Sequence, residues 1–373
     1  MKRTLAWLLA ALAASGCGGG SPGPTPAGLP RIDAPRSVRL VWEAGIGTAE
    51  QYNLTPALAG DSIYSAARDG RVVRFDAASG RERWRSYVDM RISGGVGADT
   101  QTVVVASDAG EVVALDAETG KVRWRTRVSS EVLSPPAVGR GVVLVRSIDS
   151  RIFAFNADDG KRRWVYQRPS APLVVRSPAG TVIRDDTAFA GFRGGKLAAL
   201  ALANGGVRWE ATVALPKGTT ELERVIDVVG DPAVQGREVC ATAYQGRLAC
   251  FDATSGSQLW ARDVSSVTGV SLDARYAFVS DEKGTVQAFD RSTGGVVWKQ
   301  DQLTYRQLTL PVPAGNAVVV GDFEGWVHFL SRDNGAFLGR YNARGGGVRV
   351  PPLLLPSGPV VQTQTGTLYA LSL

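Results

Sequence analysis

Chemistry in this 373-residue chain would have to be built from few reactive groups: one histidine, His328, and three cysteines, Cys17, Cys240 and Cys250. A lone histidine on an alternating run rules out His-cluster metal sites and repeated His ligation. A Ser-His-Asp arrangement would need a nucleophile elbow, and none appears, so His328 is expected to be structural. No phosphate loop or dinucleotide motif is present either; Gly194-Gly195 and Gly345-Gly346-Gly347 read as turns. The carboxylates are scattered. Cys240 and Cys250 lie on two alternating runs joined by a tight turn at Gln245-Gly246, which places them nearly opposite on a hairpin. They are candidates for a structural disulfide, the alternative being two buried free thiols. This scarcity of chemistry favours a binding scaffold, with no metal or cofactor expected.

What positions these residues is a repeat. Residues 114–124, Ala-Leu-Asp-Ala-Glu-Thr-Gly-Lys-Val-Arg-Trp, recur as Asp76/Gly80/Trp84, Asp252/Gly256/Trp260 and Asp290/Gly294/Trp298. Degenerate copies occur at Asn156/Gly160/Trp164, Ala201/Gly205/Trp209 and Ser331/Gly335/Gly339. Self-similarity near a 40-residue period signals a solenoid or a propeller. Eight alternating runs precede the motifs, at 71–76, 111–116, 151–156, 196–201, 247–252, 285–290, 326–331 and 367–372. Period-2 alternation with Gly-containing turns means hairpins. The motif Asp starts a turn by accepting from backbone amides, Gly supplies the positive φ that reverses the chain, and Trp packs between sheets while its N–H finds one partner.

The tryptophan positions are 42, 84, 124, 164, 209, 260 and 298, with Gly339 in the next place, so the steps are 42, 40, 40, 45, 51, 38 and 41. Trp42 has no repeat before it, and residues 367–373 have no Trp strand behind them. Joining the two fragments predicts an all-β, eight-bladed propeller of four-stranded antiparallel blades over residues 37–373. A strand around Val38 and Trp42 would close the ring against the C-terminal blade; an open solenoid is the alternative. The steps of 45 and 51 put extra residues near 169–186 and 215–231, in inter-blade connections on one face. Loops extended from a rigid scaffold are where binding usually resides.

The first residues bear on location. Lys2 and Arg3 precede an apolar run too short to span a bilayer, which reads as a cleaved signal peptide over 1–16. Ala14-Ser15-Gly16-Cys17 resembles a bacterial lipobox, which makes Cys17 the lipidated first residue; an ordinary secretory signal with a chance cysteine is the alternative. Residues 17–36 then form a Gly-, Pro- and Ser-rich tether. With Gly18 after the cysteine, the implied location is the periplasmic face of the outer membrane. Without Lys2 and Arg3 the charge falls from +7 to +5, as 40 Lys and Arg face 35 Asp and Glu. No basic run with interleaved aromatics occurs, so nucleic acid is a poor candidate partner.

The repeat resembles that of the pyrroloquinoline-quinone dehydrogenases, which implies the fold; their adjacent cysteine pair is missing here. A closer resemblance, to the BamB family, covers essentially the whole mature chain. It rests on the lipobox followed by an eight-repeat propeller, on Gly321-Asp322-Phe323-Glu324-Gly325-Trp326-Val327-His328, and on residues 220–228, Thr-Glu-Leu-Glu-Arg-Val-Ile-Asp-Val. The resemblance implies a non-catalytic subunit of the outer-membrane β-barrel assembly (BAM) machinery. That subunit would dock on the periplasmic domains of BamA beside other BAM subunits and assist outer-membrane proteins. Its contact residues map onto Leu173, Val175, Arg176 and Asp227, with Val229 where a second Asp would stand. Receipt of unfolded clients by β-augmentation is a weaker reading, because ring closure leaves only short edges. A quinone-dependent oxidoreductase and a propeller binding some other envelope component are the competing functions.

Overall fold

The computed structural model describes residues 23–168, 179–216, 219 and 225–373. Its strands form eight four-stranded antiparallel sheets, each a blade of a closed ring, with every blade's first strand innermost. Blade 1 consists of Ala57–Ala59, Ser62–Ala66, Arg71–Asp76 and Glu82–Tyr87, and blades 2 to 7 repeat that order. The middle strands are sealed on both faces: Arg71–Asp76 and Glu111–Asp116 each bury their four central residues. The outermost strands alternate, with Trp124 at 8% exposure between exposed Arg123 and Arg125. That pattern follows from a sheet packed between two others with its last edge in solvent.

Blade 8 joins the chain ends. Leu353–Leu355, Gly358–Gln362 and Thr367–Ser372 take Arg39–Gly45 as their outer strand, pairing from Arg39 with Ser372 to Gly45 with Thr367. The expected closure is therefore present, with a bulge between Leu40 and Trp42. The segment anticipated as tether through residue 36 is held on the ring from Ala27 onward. Ala27 N–H donates to the Thr304 carbonyl at 2.8 Å, and Arg36 N–H to that of Leu338 at 2.7 Å.

The motif works across blades as well as within them. Asp76 Oδ1 accepts the N–H groups of Ala78 and Ser79 at 3.1 and 2.9 Å, the expected turn. The indole N–H of Trp42 then reaches forward to the carbonyl of Ala77 in blade 1, and Trp84 reaches that of Ala117 in blade 2. Five more follow, from Trp124 to Ala157 and finally from Trp298 to Arg332. Each indole lies flat on the next blade's motif glycine. A Cβ at Gly80, Gly120, Gly160, Gly205, Gly256, Gly294 or Gly335 would fall 2.5–2.8 Å from indole carbons. Glycine is thus required twice, for a φ near +70° and for the surface the tryptophan occupies.

At the seam between blades 7 and 8 the tryptophan is replaced by Gly339. A Cβ there would come within 2.8 Å of the Arg36 carbonyl and 3.1 Å of a Val38 methyl, because the incoming N-terminal segment fills that place. Gly160→Ala should combine left-handed strain with an indole clash and cost about 2–4 kcal/mol. Gly236→Ala, at φ 61° with open space around the new methyl, should cost only about 1 kcal/mol. Urea unfolding of the two variants checks this, and equal midpoints would contradict the docking role.

Candidate functional site

Among the described residues, the strand-two to strand-three turns and the inter-blade connections share one face of the ring, and both long connections begin and end there. The turn of blade 4, Arg193 to Gly195, is bonded to the connection entering blade 5. Arg193 bridges Asp227, and Gly195 N–H donates to the Ile226 carbonyl at 3.0 Å. Tyr244 N–H, from the turn of blade 5, donates to the Asp227 carbonyl at 2.9 Å. Alternation then buries Ile226 and Val228, each 2% exposed, between blades 4 and 5.

Asp227 is itself 5% exposed, so it sits at the root of the loop, where its charge acts on neighbours more than on solvent. Burial pulls the Arg193 guanidinium down and the Asp227 carboxylate opposes it. Arg146 lies 5.0 Å over the Phe192 ring, and burial lowers it to about 10 against the opposing pull of Asp231. Asp231 accepts the Gly180 N–H at 2.8 Å, and burial raises its carboxyl. It borders the ring's central cavity of about 430 Å³, which gives it water contact while protein surrounds it. Two cations and two carboxylates therefore brace the points where residues 169–178 and 217–224 leave the ring. Leu173, Val175 and Arg176 lie outside the described residues. Val229 is 2% exposed, so the place of the family's second Asp points into the core.

A second polar centre sits on the same face in blade 7. Asp322 Oδ2 accepts from Arg306 Nε at 2.7 Å and from His328 Nε2 at 3.0 Å, while Oδ1 accepts the N–H groups of Glu324 and Trp326. Arg306 also pairs with Glu324 and donates to the Ala27 carbonyl at 2.9 Å. Burial pushes the Asp322 carboxyl up, but His328 and Arg306 outweigh it and hold the group below the usual carboxylate range. Burial dominates for His328 and depresses its basicity, so the ring is neutral and carries its proton on Nε2, facing the carboxylate. Fully buried and edge-on to Phe337, His328 is a structural residue.

The cysteines are bonded to each other. Cys240 pairs directly opposite Cys250 within blade 5, with Cα atoms 4.0 Å apart and no exposure. Among the described residues they form, with Glu238, the sole cluster of metal-ligand type. Both sulfurs are committed to the disulfide and Glu238 is paired with Arg291 at 2.7 Å, so that cluster has no free thiolate to offer.

Sequence reasoning missed the proximity of Arg146 to Asp231 and the central cavity. Arg146 stands within an ordinary strand, and only ring closure brings it near residue 231. The Gly321-to-His328 motif was visible, yet its buried ion pair depends on Arg306, fifteen residues upstream of Gly321 and outside the motif.

Two outcomes are expected. Cys240→Ala/Cys250→Ala should lower stability by about 2 kcal/mol while leaving the β-sheet circular dichroism intact, because the bridge closes a short loop. Asp322→Asn should cost about 3 kcal/mol by removing the buried carboxylate that Arg306 and His328 share. In the wild type, both folded-state proton affinities in this centre are depressed. Unfolded chains therefore bind more protons in acid, and stability falls below pH ~6.5 for His328 and again below ~4 for Asp322. Replacing Asp322 should flatten the lower limb in urea titrations against pH.

A family model described as outer membrane protein assembly factor BamB matches residues 68–300. The outer membrane protein assembly factor BamB of Bordetella pertussis is 47% identical over 344 residues, covering 92% of this chain and 89% of the relative. The crystal structure of BamB from Moraxella catarrhalis superposes with a TM-score of 0.83 at 28% identity, covering 90% of this chain and all of that one. Quinohemoprotein alcohol dehydrogenase from Comamonas testosteroni shares the fold, with a TM-score of 0.68 at 14% identity. On the matched family model and the extent of these identities, the chain belongs to the family of the outer membrane protein assembly factor BamB.

Proposed function

We propose that this chain is a non-catalytic scaffold subunit of the outer-membrane β-barrel assembly machinery. It is held at the periplasmic face of the outer membrane by lipid on Cys17, and it docks on the periplasmic domains of BamA to assist outer-membrane proteins. The observation that carries the reading is 47% identity to an outer membrane protein assembly factor across nine-tenths of the chain. The ring supports it physically. Seven interlocked tryptophans make a stiff platform, so a partner docks with little ordering cost. Leu173 and Val175 would fill an apolar groove on the partner, and Arg176 would donate to a carboxylate or carbonyl there. Asp227, buried at the loop root, suits the orienting of a neighbouring cation better than direct contact.

Capture of the lipidated protein from detergent-solubilised outer membranes should bring down a large barrel protein with periplasmic repeats. Arg176→Glu should reduce that recovery tenfold or more, about 1.4 kcal/mol of binding. Full recovery by this variant would discard the contact. Stoichiometric uptake of pyrroloquinoline quinone with calcium and dye-linked turnover would instead discard the scaffold reading.

A further inference from the structure

The central cavity is walled by the inter-blade connections, by the turn of blade 7 and by the first strand of blade 5. Charge on that wall comes from two groups. Asp231 stands on blade 5 and Arg349 in the connection between blades 7 and 8; both are exposed there, and neither forms an ion pair among the described residues. Asp231 keeps one hydrogen bond, from the Gly180 N–H at 2.8 Å, while Arg146 attracts it without pairing. Three side-chain amides join them: Gln51 and Asn53, in the connection entering blade 1, and Gln307, in the connection entering blade 7. Like the Arg349 guanidinium, these amides have no hydrogen-bond partner among the described residues. Elsewhere on the face such groups are spent within the ring, as Arg68 is on Asp108 and Gln364 on the Glu50 carbonyl.

The wall is also fixed. Tyr52 lies under the Arg68 guanidinium at 4.2 Å and donates to Asp108 at 3.1 Å, which pins the backbone between Gln51 and Asn53. Gln307 follows Arg306, held by Asp322 and Glu324, and precedes buried Leu308. Unspent donors and acceptors therefore line a preformed space, and a ligand would pay little to order them.

We propose that this cavity binds a short peptide with both ends free: Arg349 takes the terminal carboxylate, Asp231 the terminal ammonium, and Gln51, Asn53 and Gln307 the peptide groups between. The class follows from the wall. A polycarboxylate would meet Asp231 as a like charge, and a polyamine would meet Arg349 in the same way, whereas a ligand with one charge of each sign satisfies both. A side-chain amide offers N–H donors beside a carbonyl acceptor, which matches the carbonyl and N–H of a peptide group. A sugar would need a bare aromatic face, and Phe323, the aromatic ring on the wall, has the Arg306 guanidinium 5.6 Å over it. Size agrees as well. A compact cavity of about 430 Å³ is roughly 9–10 Å across, the span of about three extended residues at 3.3–3.6 Å each. Val267 and Val350 supply apolar wall for small side chains.

Isothermal titration of the mature protein in detergent with Ala-Ala-Ala should give a dissociation constant of about 0.1–1 mM. Capping separates the two contacts. The C-terminal amide, which lacks the carboxylate, and the N-acetyl form, which lacks the ammonium, should each bind about tenfold more weakly. Arg349→Gln should weaken the free tripeptide about tenfold and leave the C-terminal amide unchanged. Asp231→Asn, whose side-chain oxygen still accepts from Gly180, should weaken the free tripeptide by the same factor and leave the N-acetyl form unchanged. Absence of heat at about 10 mM free tripeptide, equal binding of free and capped forms, or variants that weaken every peptide alike would overturn the proposal. Tighter binding of citrate, spermidine or maltotriose would overturn it too. The capture experiment with Arg176→Glu reads the docking surface separately, so neither result decides the other.

Discussion

The whole ring depends on a single contact made seven times: an indole laid on a glycine of the next blade, with its N–H on a carbonyl in the same turn. The contact joins a large apolar surface to one directional hydrogen bond, so it fixes distance and angle together. Because donor and recipient belong to consecutive repeats, every blade but the seventh supplies a wedge and every blade but the eighth receives one. Blade spacing is set locally, and the face loops can lengthen without disturbing it. The two long steps, at blades 4 and 5, are tolerated for that reason.

The parts legible in the sequence were those encoded by residues close together along the chain. The Asp-to-amide turn, the alternation of the middle strands and the facing cysteines all arise within about a dozen residues. Ring closure was legible because a tryptophan without a repeat, Trp42, had to belong to the last blade. What escaped was set by neighbours remote in sequence. The motif glycines were understood as turn formers, whereas half of their requirement comes from the indole of the preceding blade. Gly339 looked like a decayed tryptophan position, and it proves to be the slot that Arg36 and Val38 occupy. Arg146 and Asp231 carry no local mark of their mutual influence, since their proximity exists only once blades 3 to 5 are stacked.

The face that carries the loops has two kinds of polar centre. Near the ends of the two long connections, Arg146, Arg193, Asp227 and Asp231 oppose each other's charge, and Asp231 borders the central cavity. In blade 7 the Asp322 centre is dry and closes on itself. The first fixes the ends of the described ring between which the two long connections run. The second spends its charges internally and uses the remaining donor of Arg306 on the N-terminal segment.

The substitution at residue 339 bears on how the ring assembles. Blades 1 to 7 can stack in the order in which the chain emerges, each finding its wedge in the blade just formed. The last blade cannot, because Arg39–Gly45 pairs with Thr367–Ser372, more than three hundred residues away. Its early strand must stay unpaired until the final strand arrives, so loop-closure entropy makes sealing this junction the slow and terminal event of folding. An open ring with an exposed strand edge is then the species most prone to associate with other chains.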